Sequence, residues 1–161
     1  MPIRSPLPPL VVLMASLAAI PTTAGIANGA EQPTRSADTP EETTMRISIE
    51  IGGDTLTATL EDSETARDFA SLLPLTLSLE DYAATEKISD LPKRLSTAGA
   101  PEGVTPRVGD LAYYAPWGSL AIFHKDFRYS SGLVKLGRLD SGVELIRQTG
   151  PYEATFRRLD R

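Results

Sequence analysis

The sequence predicts a mainly β protein: a small closed antiparallel barrel of about eight short strands with two short flanking helices. Most periodic segments alternate apolar and polar residues, which is the pattern of half-buried strands, and only two segments have helical periodicity. No repeat of fixed period is present, which argues against propellers and solenoids. Closure into a barrel protects the strand edges that an open meander would expose.

The first half of this pattern is the clearest. Alternating isoleucines predict a strand over 46–51, and Gly52-Gly53-Asp54 predicts a hairpin turn into a second strand over 55–60. The segment Asp62-Ser63-Glu64-Thr65 is rich in N-capping side chains and in acids that suit a helix N-terminus. It precedes a predicted helix with apolar residues at positions 66, 69, 70 and 73 on one face, and Pro74 ends that helix. Alternating leucines predict a third strand over 75–79.

The second half contains more loops. Residues 83–107 are rich in Pro and Gly, with one short strand predicted at 85–88. Strands are predicted at 109–114 and 119–124, on either side of a turn with Pro and Gly at its centre, and at 133–139 and 152–157. Ser141 and Glu144 have the spacing of a capping box, which predicts a second helix over 143–148.

The composition excludes several classes of function. The chain has 161 residues, of which 41% are hydrophobic, a proportion typical of a globular domain. It has no cysteine and one histidine, so disulfides, thiolate or multi-histidine metal sites and a cysteine nucleophile are excluded. No cofactor motif is recognisable, and we expect neither a metal nor a cofactor. A net charge of -5 argues against nucleic acid as a partner, because phosphates require clustered Lys and Arg.

The N-terminal segment has the order of a secretory signal peptide. Arg4 precedes an apolar run of eleven residues, 10–20, which small residues follow. We expect cleavage after Ala24, because Pro21 ends the apolar helix just ahead of it, with Ala27 as the alternative. The run is shorter than the ~20 residues that cross a bilayer as a helix, so no membrane span is expected after cleavage.

The sequence therefore predicts an exported protein, periplasmic or secreted, in three parts. The signal peptide covers 1–24, a disordered tether covers 25–44, and the barrel domain covers 45–161. From Asn28 to Thr44 there is no large apolar side chain, so burial cannot offset the entropy of ordering this segment. The alternative is a cytosolic domain that starts at Met45.

A long run of residues resembles the small bacterial cyclophilin-like proteins. The run is GDLAYYAPWGSLAIF at 109–123, preceded by TEKI at 85–88 and LP at 91–92 and followed by SGLVKLGR at 131–138. The resemblance extends from about residue 45 to 159. It implies a closed eight-stranded barrel flanked by two helices, in agreement with the elements predicted from periodicity.

The resemblance does not imply an activity. True cyclophilins, which isomerise prolyl bonds, use an arginine in a Phe-His-Arg strand and a glutamine in a Gln-Gly-Gly-Asp-Phe run, beside an apolar pocket for proline. Neither run occurs in this sequence, whose glutamines are Gln32 and Gln148. The catalytic residues of an isomerase are therefore unknown here.

The aromatic residues indicate a binding groove. Six of the ten lie between positions 113 and 129. Alternation along strands directs about half of them into the core and leaves the rest for a surface groove, the usual form of a ligand site. We therefore predict that the domain binds a small molecule or a peptide. The candidate ligand-binding residues are Tyr113, Trp117, Phe123, Tyr129 and Arg94.

Two alternatives remain. In the first, the protein is a peptidyl-prolyl isomerase in which Arg94 or Arg128 replaces the missing arginine, since a single donor suffices to stabilise a twisted imide. In the second, it is a non-catalytic interaction domain. His124 would be the first choice of general base, but no triad partner is recognisable. The basic residues in and near the long loop could bind an anion, but they are interpreted as solvated loop charges; these residues are Lys87, Lys93, Arg94 and Arg107.

Overall fold

The structure, a computed structural model, describes residues 44–159. The predicted signal peptide and, apart from Thr44, the predicted tether lie outside the described residues. The described part of the chain forms these elements in order: β1 Arg46–Ile51, β2 Asp54–Leu60, α1 Glu64–Ala70, β3 Leu75–Tyr82, β4 Glu86–Asp90, β5 Gly103–Val104, β6 Asp110–Tyr114, β7 Ser119–Phe123, β8 Ser130–Ser131, β9 Leu133–Leu139, α2 Val143–Ile146 and β10 Tyr152–Arg158.

Eight of these strands close into an antiparallel barrel in the order β1-β10-β3-β4-β7-β6-β9-β2. The two-residue strands β5 and β8 pair separately as a small ribbon. The predicted mainly β fold, a closed eight-stranded barrel with two short helices, is therefore confirmed. The barrel closes through β1, where Ile49 lies opposite Leu56 on β2 and Phe156 on β10.

The barrel interior holds the main core. Inward-facing residues of β1 and β10 are buried, and Phe69 of α1 packs edge-on against Phe156 with 6.2 Å between ring centroids. Each such ring, once removed from water, contributes on the order of 1.5–3 kcal/mol to stability. The helix α1 therefore covers the barrel interior, as its amphipathic pattern predicts.

β3 continues beyond the predicted end at residue 79 and reaches Tyr82. It continues because its last residues pair with β4, with Glu80 opposite Ile88 and Tyr82 opposite Glu86. β4 pairs in turn with β7, where Glu86 lies opposite Phe123. The register places Tyr82, Glu86 and Phe123 side by side on three neighbouring strands.

The two helices begin differently from each other. Ser63 caps α1, and its Oγ accepts a hydrogen bond from the Ala66 N–H at 3.1 Å. The predicted capping box of α2 is wrong: its N-cap is Gly142, with a φ of 80° and no side-chain cap, and the helix ends at Ile146. Because the chain enters α2 through a left-handed glycine, Ser141 lies one residue too early to cap it.

Replacing Ser63 with alanine is expected to lower the free energy of unfolding by about 1 kcal/mol, because an N–H in the first turn of α1 loses its acceptor. Ser141→Ala is the matched control, since Ser141 is exposed and α2 has no side-chain cap. Urea denaturation of the two variants measures the difference. If both variants lost the same free energy of unfolding, the Ser63 cap would contribute nothing specific to stability.

Candidate functional site

A second apolar cluster lies on the outer face of the barrel, away from the main core. It is centred on Ala112, Ala121, Phe123 and Leu133, and Tyr114 is among the partly buried residues packed against it. This cluster is the floor of a cavity of about 530 Å³. A volume of this size accommodates a small organic ligand. The lining residues are Tyr82, Ala83, Glu86, Ile88, Tyr114, Trp117, Ser119, Ala121, Phe123, Phe127, Arg128, Tyr129, Ser130, Ser131 and Leu133.

Aromatic rings form one wall of the cavity. Trp117 packs edge-on against Tyr82 and Tyr114, with ring centroids 5.4 and 5.1 Å apart. Tyr82, Trp117 and Tyr129 are three of the four large hydrophobic side chains that are exposed within residues 44–159, the fourth being Leu159. Exposed aromatic surface is therefore concentrated at this cavity, as expected of a binding site.

The ribbon of β5 and β8 holds the segment that carries Tyr129 against the barrel. Gly103 lies opposite Ser131 in this ribbon. A Cβ at Gly103 would lie 2.8 Å from Tyr129 Oη and 2.9 Å from Ser131 Cα, so only glycine allows so close an approach. The ribbon therefore places Tyr129 beside the cavity.

Glu86 places a carboxyl group in the cavity. Its cross-strand neighbours are Tyr82 and Phe123, so aromatic side chains flank it on both sides. Burial raises the pKa of Glu86 to about 7, and no described residue gives its carboxylate an ion pair or a hydrogen bond. At neutral pH this group is therefore poised between its charged and neutral forms, which is typical of functional carboxyl groups.

Arg128 is the other charged residue of the lining. Its guanidinium lies over the Phe127 ring, 5.3 Å from the ring centroid, and the residue is exposed. Burial alone accounts for the raised pKa of Glu86, so Arg128 does not compensate the Glu86 carboxylate. The positive charge of Arg128 therefore lies at the exposed rim of the cavity, whereas the carboxyl group of Glu86, which is negative when ionised, lies in the interior.

Three of the five predicted ligand-binding residues line the cavity, namely Trp117, Phe123 and Tyr129. Tyr113 does not, because adjacent strand residues face opposite sides and Tyr114 takes the outer one. Tyr113 is buried in the main core, and its hydroxyl accepts a hydrogen bond from the Leu95 N–H at 3.1 Å.

Arg94 also lies outside the cavity lining. It donates hydrogen bonds to the carbonyl oxygens of Ala115 at 2.7 Å and Pro116 at 3.4 Å. Arg94 and Tyr113 together fasten the loop after β4 to the β6–β7 turn. We therefore leave both residues out of the candidate site.

Two residues of the site, Tyr82 and Glu86, were not predicted. The alternation of Glu86, Lys87 and Ile88 does indicate that Glu86 shares a face with Ile88. The pairing of β4 with both β3 and β7, which surrounds Glu86 with aromatic rings, is not readable from local periodicity. The carboxyl group was missed for that reason.

The structure contradicts the interpretation of Lys87 as a solvated loop charge. Its side chain is fully buried and faces the barrel interior, where Nζ pairs with Asp81 at 2.6 Å and lies 4.9 Å from the Tyr152 ring centroid. Lys93 is half-exposed and pairs with Asp68 at 2.6 Å. The difference between the two lysines follows from strand alternation, because Lys87 occupies an inward position of β4.

His124 is buried just beyond β7 and does not line the cavity. Burial, followed by the positive charges of Lys125, Lys87 and Arg147, lowers its pKa. Its Nδ1 has no hydrogen-bond partner within the described residues. The structure gives His124 no contact from which a catalytic role could be built.

Within residues 44–159 no group of three or more His, Cys, Asp or Glu side chains is arranged to hold a metal ion. The same part of the chain contains no helix with the length and hydropathy required to cross a membrane. The cavity is thus a site built from aromatic side chains, hydroxyl groups, one carboxyl group and one exposed guanidinium.

The closed eight-stranded antiparallel barrel with two short helices has the architecture of a cyclophilin-like fold. The chain belongs to the Cyclophilin-like family, whose model matches residues 49–157. The barrel is similar to the solution structure of a hypothetical protein from Archaeoglobus fulgidus, with a TM-score of 0.59 and 18% identity. That similarity covers 72% of this chain and 95% of the archaeal one, and it shows the fold alone. A comparison with curated proteins finds no match.

Proposed function

We propose that this domain binds a small molecule, or a short peptide segment, in the outer-face cavity. The observation that carries the proposal is the aromatic wall, in which Tyr82, Trp117 and Tyr129 stay exposed beside an apolar floor. Exposed rings of this size are costly in water, and a bound ligand would cover them. Ser119, Ser130 and Ser131 also line the cavity. The Ser119 hydroxyl donates to Asp90 and that of Ser130 to the Arg128 carbonyl, so their oxygens are left to accept a hydrogen bond from a ligand.

Replacing Trp117 with alanine is expected to weaken ligand binding by tenfold or more, because Trp117 holds the aromatic wall together through Tyr82 and Tyr114. A compound library screened by thermal shift, followed by calorimetric titration of each hit, measures this. Leu159→Ala is the control, since Leu159 is exposed but lies outside the cavity. Hits that bind the Trp117 variant and the parent protein equally well would contradict the proposed site.

A prolyl isomerase is the second candidate, and the position of Arg128 favours it. The chemistry needs a twisted, partly desolvated imide and one donor to it. Arg128 stands at the exposed rim of the cavity beside Phe127, where its guanidinium can donate to a peptide carbonyl bound at the rim, whereas Arg94 is engaged with carbonyl groups elsewhere.

A protease-coupled assay with a proline-containing peptide tests the isomerase candidate. If the protein accelerates prolyl isomerisation above the rate in buffer, we expect this acceleration to fall at least tenfold in Arg128→Ala and to persist in Arg94→Ala. No acceleration at high protein concentration would exclude this candidate and leave ligand binding as the proposed function.

We also propose that the protein is exported after cleavage near Ala24. The support is the order of Arg4, the apolar run at 10–20 and the small residues that follow. N-terminal sequencing of the protein from its native host is expected to begin at Gly25, or at Asn28 if the alternative site is used. A start at Met1 or Met45 would overturn export.

A further inference from the structure

We propose that the ligand of the outer-face cavity is an organic ammonium ion, whose positive charge lies against the Glu86 carboxylate between aromatic rings. This inference rests on the proposed function, because it assigns the chemical class of the ligand that the cavity binds. It follows from three features of the cavity: the unpaired carboxyl group, the rings beside it, and the position of the one cationic residue.

The first feature is the missing countercharge. The Glu86 carboxylate is partly removed from water, and this costs free energy unless a cation or several donors compensate the charge. Within residues 44–159 neither contacts Glu86. An incoming cation would supply what the protein leaves out, so the charge of the cavity interior is complementary to a positively charged ligand.

The second feature is the aromatic surround. Tyr82 and Phe123 are the cross-strand neighbours of Glu86, and Tyr114 and Trp117 complete the wall. Ring faces attract organic cations through their quadrupole, and the attraction grows as water is excluded. A hydrated metal ion gains little from such walls, and one carboxylate does not provide the ligand set that Ca²⁺ or Mg²⁺ requires. The walls therefore favour an alkylammonium group over an inorganic cation.

The third feature is the place of Arg128. Because its guanidinium is exposed and lies over the Phe127 ring, solvent screens it from the cavity interior. Arg128 therefore leaves the space next to Glu86 free for a ligand cation. It also stands at the rim, where it can contact a hydroxyl or anionic group at the other end of the same ligand.

The test compares two probes of the same shape that differ in charge: choline and its neutral isostere 3,3-dimethylbutan-1-ol. Trp117 is the single tryptophan of the chain, so its fluorescence reports binding at this cavity directly. Titrations are made on the full chain at pH 8, with the ionic strength held constant by NaCl. We expect choline to bind at least tenfold more tightly than the alcohol.

Glu86→Gln is expected to abolish this tenfold preference while keeping the shape of the site. Glu153→Gln removes the same charge from an exposed position on β10 and is expected to keep the preference. Circular dichroism establishes that each variant is folded, and the comparison of probes on the parent protein needs no variant at all.

Equal affinity for the two probes on the parent protein would overturn the ammonium inference and leave the proposed function standing. A preference for choline that persists in Glu86→Gln would also overturn it, since the charge would then be recognised elsewhere. If neither probe binds but another compound shows Trp117-dependent binding, the ammonium inference fails alone. If no compound of any class binds at the cavity, the proposed function fails with it.

Discussion

Replacing Glu86 with glutamine is expected to stabilise the barrel at pH 8 and to leave its stability almost unchanged at pH 4. In the folded protein burial raises the pKa of Glu86 from 4.5 to about 7. Between these two values the folded state keeps a proton that the unfolded chain has already lost. The free energy of unfolding therefore falls as the pH rises through this window, and the full cost is present above pH 7.

The size of this effect follows from the two pKa values. They differ by about 2.5 units, and each unit corresponds to about 1.36 kcal/mol, so the upper limit is about 3.4 kcal/mol. Because the Glu86 side chain is only half-buried, solvent screening reduces the expected gain to about 1–2 kcal/mol. Glutamine has nearly the same shape and no charge, so it removes this cost. A gain below this range measures the cost of burying the neutral amide, which also lacks a partner in the cavity.

Urea denaturation between pH 4 and pH 8 measures this difference. His124 titrates in part of the same range with the opposite sign, because its lowered pKa means that stability is lost as the pH falls below 6.5. His124 is present in both proteins, so its contribution cancels when the two profiles are subtracted. The Glu153→Gln control is expected to follow the parent profile. If the difference in free energy of unfolding between Glu86→Gln and the parent protein did not vary with pH, Glu86 would not be desolvated in the folded protein.

The barrel could be predicted from sequence because its elements are specified locally. The isoleucines of β1 alternate over the whole strand, Gly52-Gly53 marks the following turn, and Phe69 lies on the apolar face of α1. The start of α2 could not be predicted in the same way. Its Ser and Glu have the spacing of a capping box, but the left-handed conformation of Gly142 decides where the helix begins.

The candidate site was predictable only in part. Trp117, Phe123 and Tyr129 belong to an aromatic cluster that is visible along the chain, and this clustering led to them directly. Tyr82 and Glu86 join the site through the pairing of β3, β4 and β7, which brings together residues that the sequence separates. Local periodicity indicates that neighbouring residues alternate between the two faces of a strand, but it does not identify which face points into the barrel interior. The burial of Lys87 and the exclusion of Tyr113 were missed for this reason.

Replacing Lys87 with methionine is expected to change the free energy of unfolding at pH 7 by less than about 1 kcal/mol. Lys87→Ala is expected to lower it by about 2–4 kcal/mol. The Lys87 side chain is fully buried inside the barrel, so alanine leaves a cavity that methionine fills. Removing the charge costs little, because the ion pair with Asp81 only offsets the desolvation of the ammonium, and Asp81 itself stays in contact with water.

The two variants are expected to share one further property. The hydrogen bond from Lys87, followed by the one from the Gly150 N–H, lowers the pKa of Asp81 in the parent protein. A lowered carboxyl pKa contributes stability that is present above pH 3.8 and is lost as the pH falls through the folded-state value. Both variants keep only the Gly150 donor, so their stability should depend less on pH in acid than that of the parent protein.

Urea denaturation from pH 2 to pH 7 tests both expectations together. A methionine variant as unstable as the alanine variant would mean that the charge of Lys87, rather than its volume, stabilises the barrel. An unchanged acid profile would mean that Asp81 gains nothing from the ion pair. The expected result instead separates two roles of one side chain: its methylenes fill the barrel interior, and its ammonium group sets the acid stability at the barrel end where Asp81 and Gly150 meet.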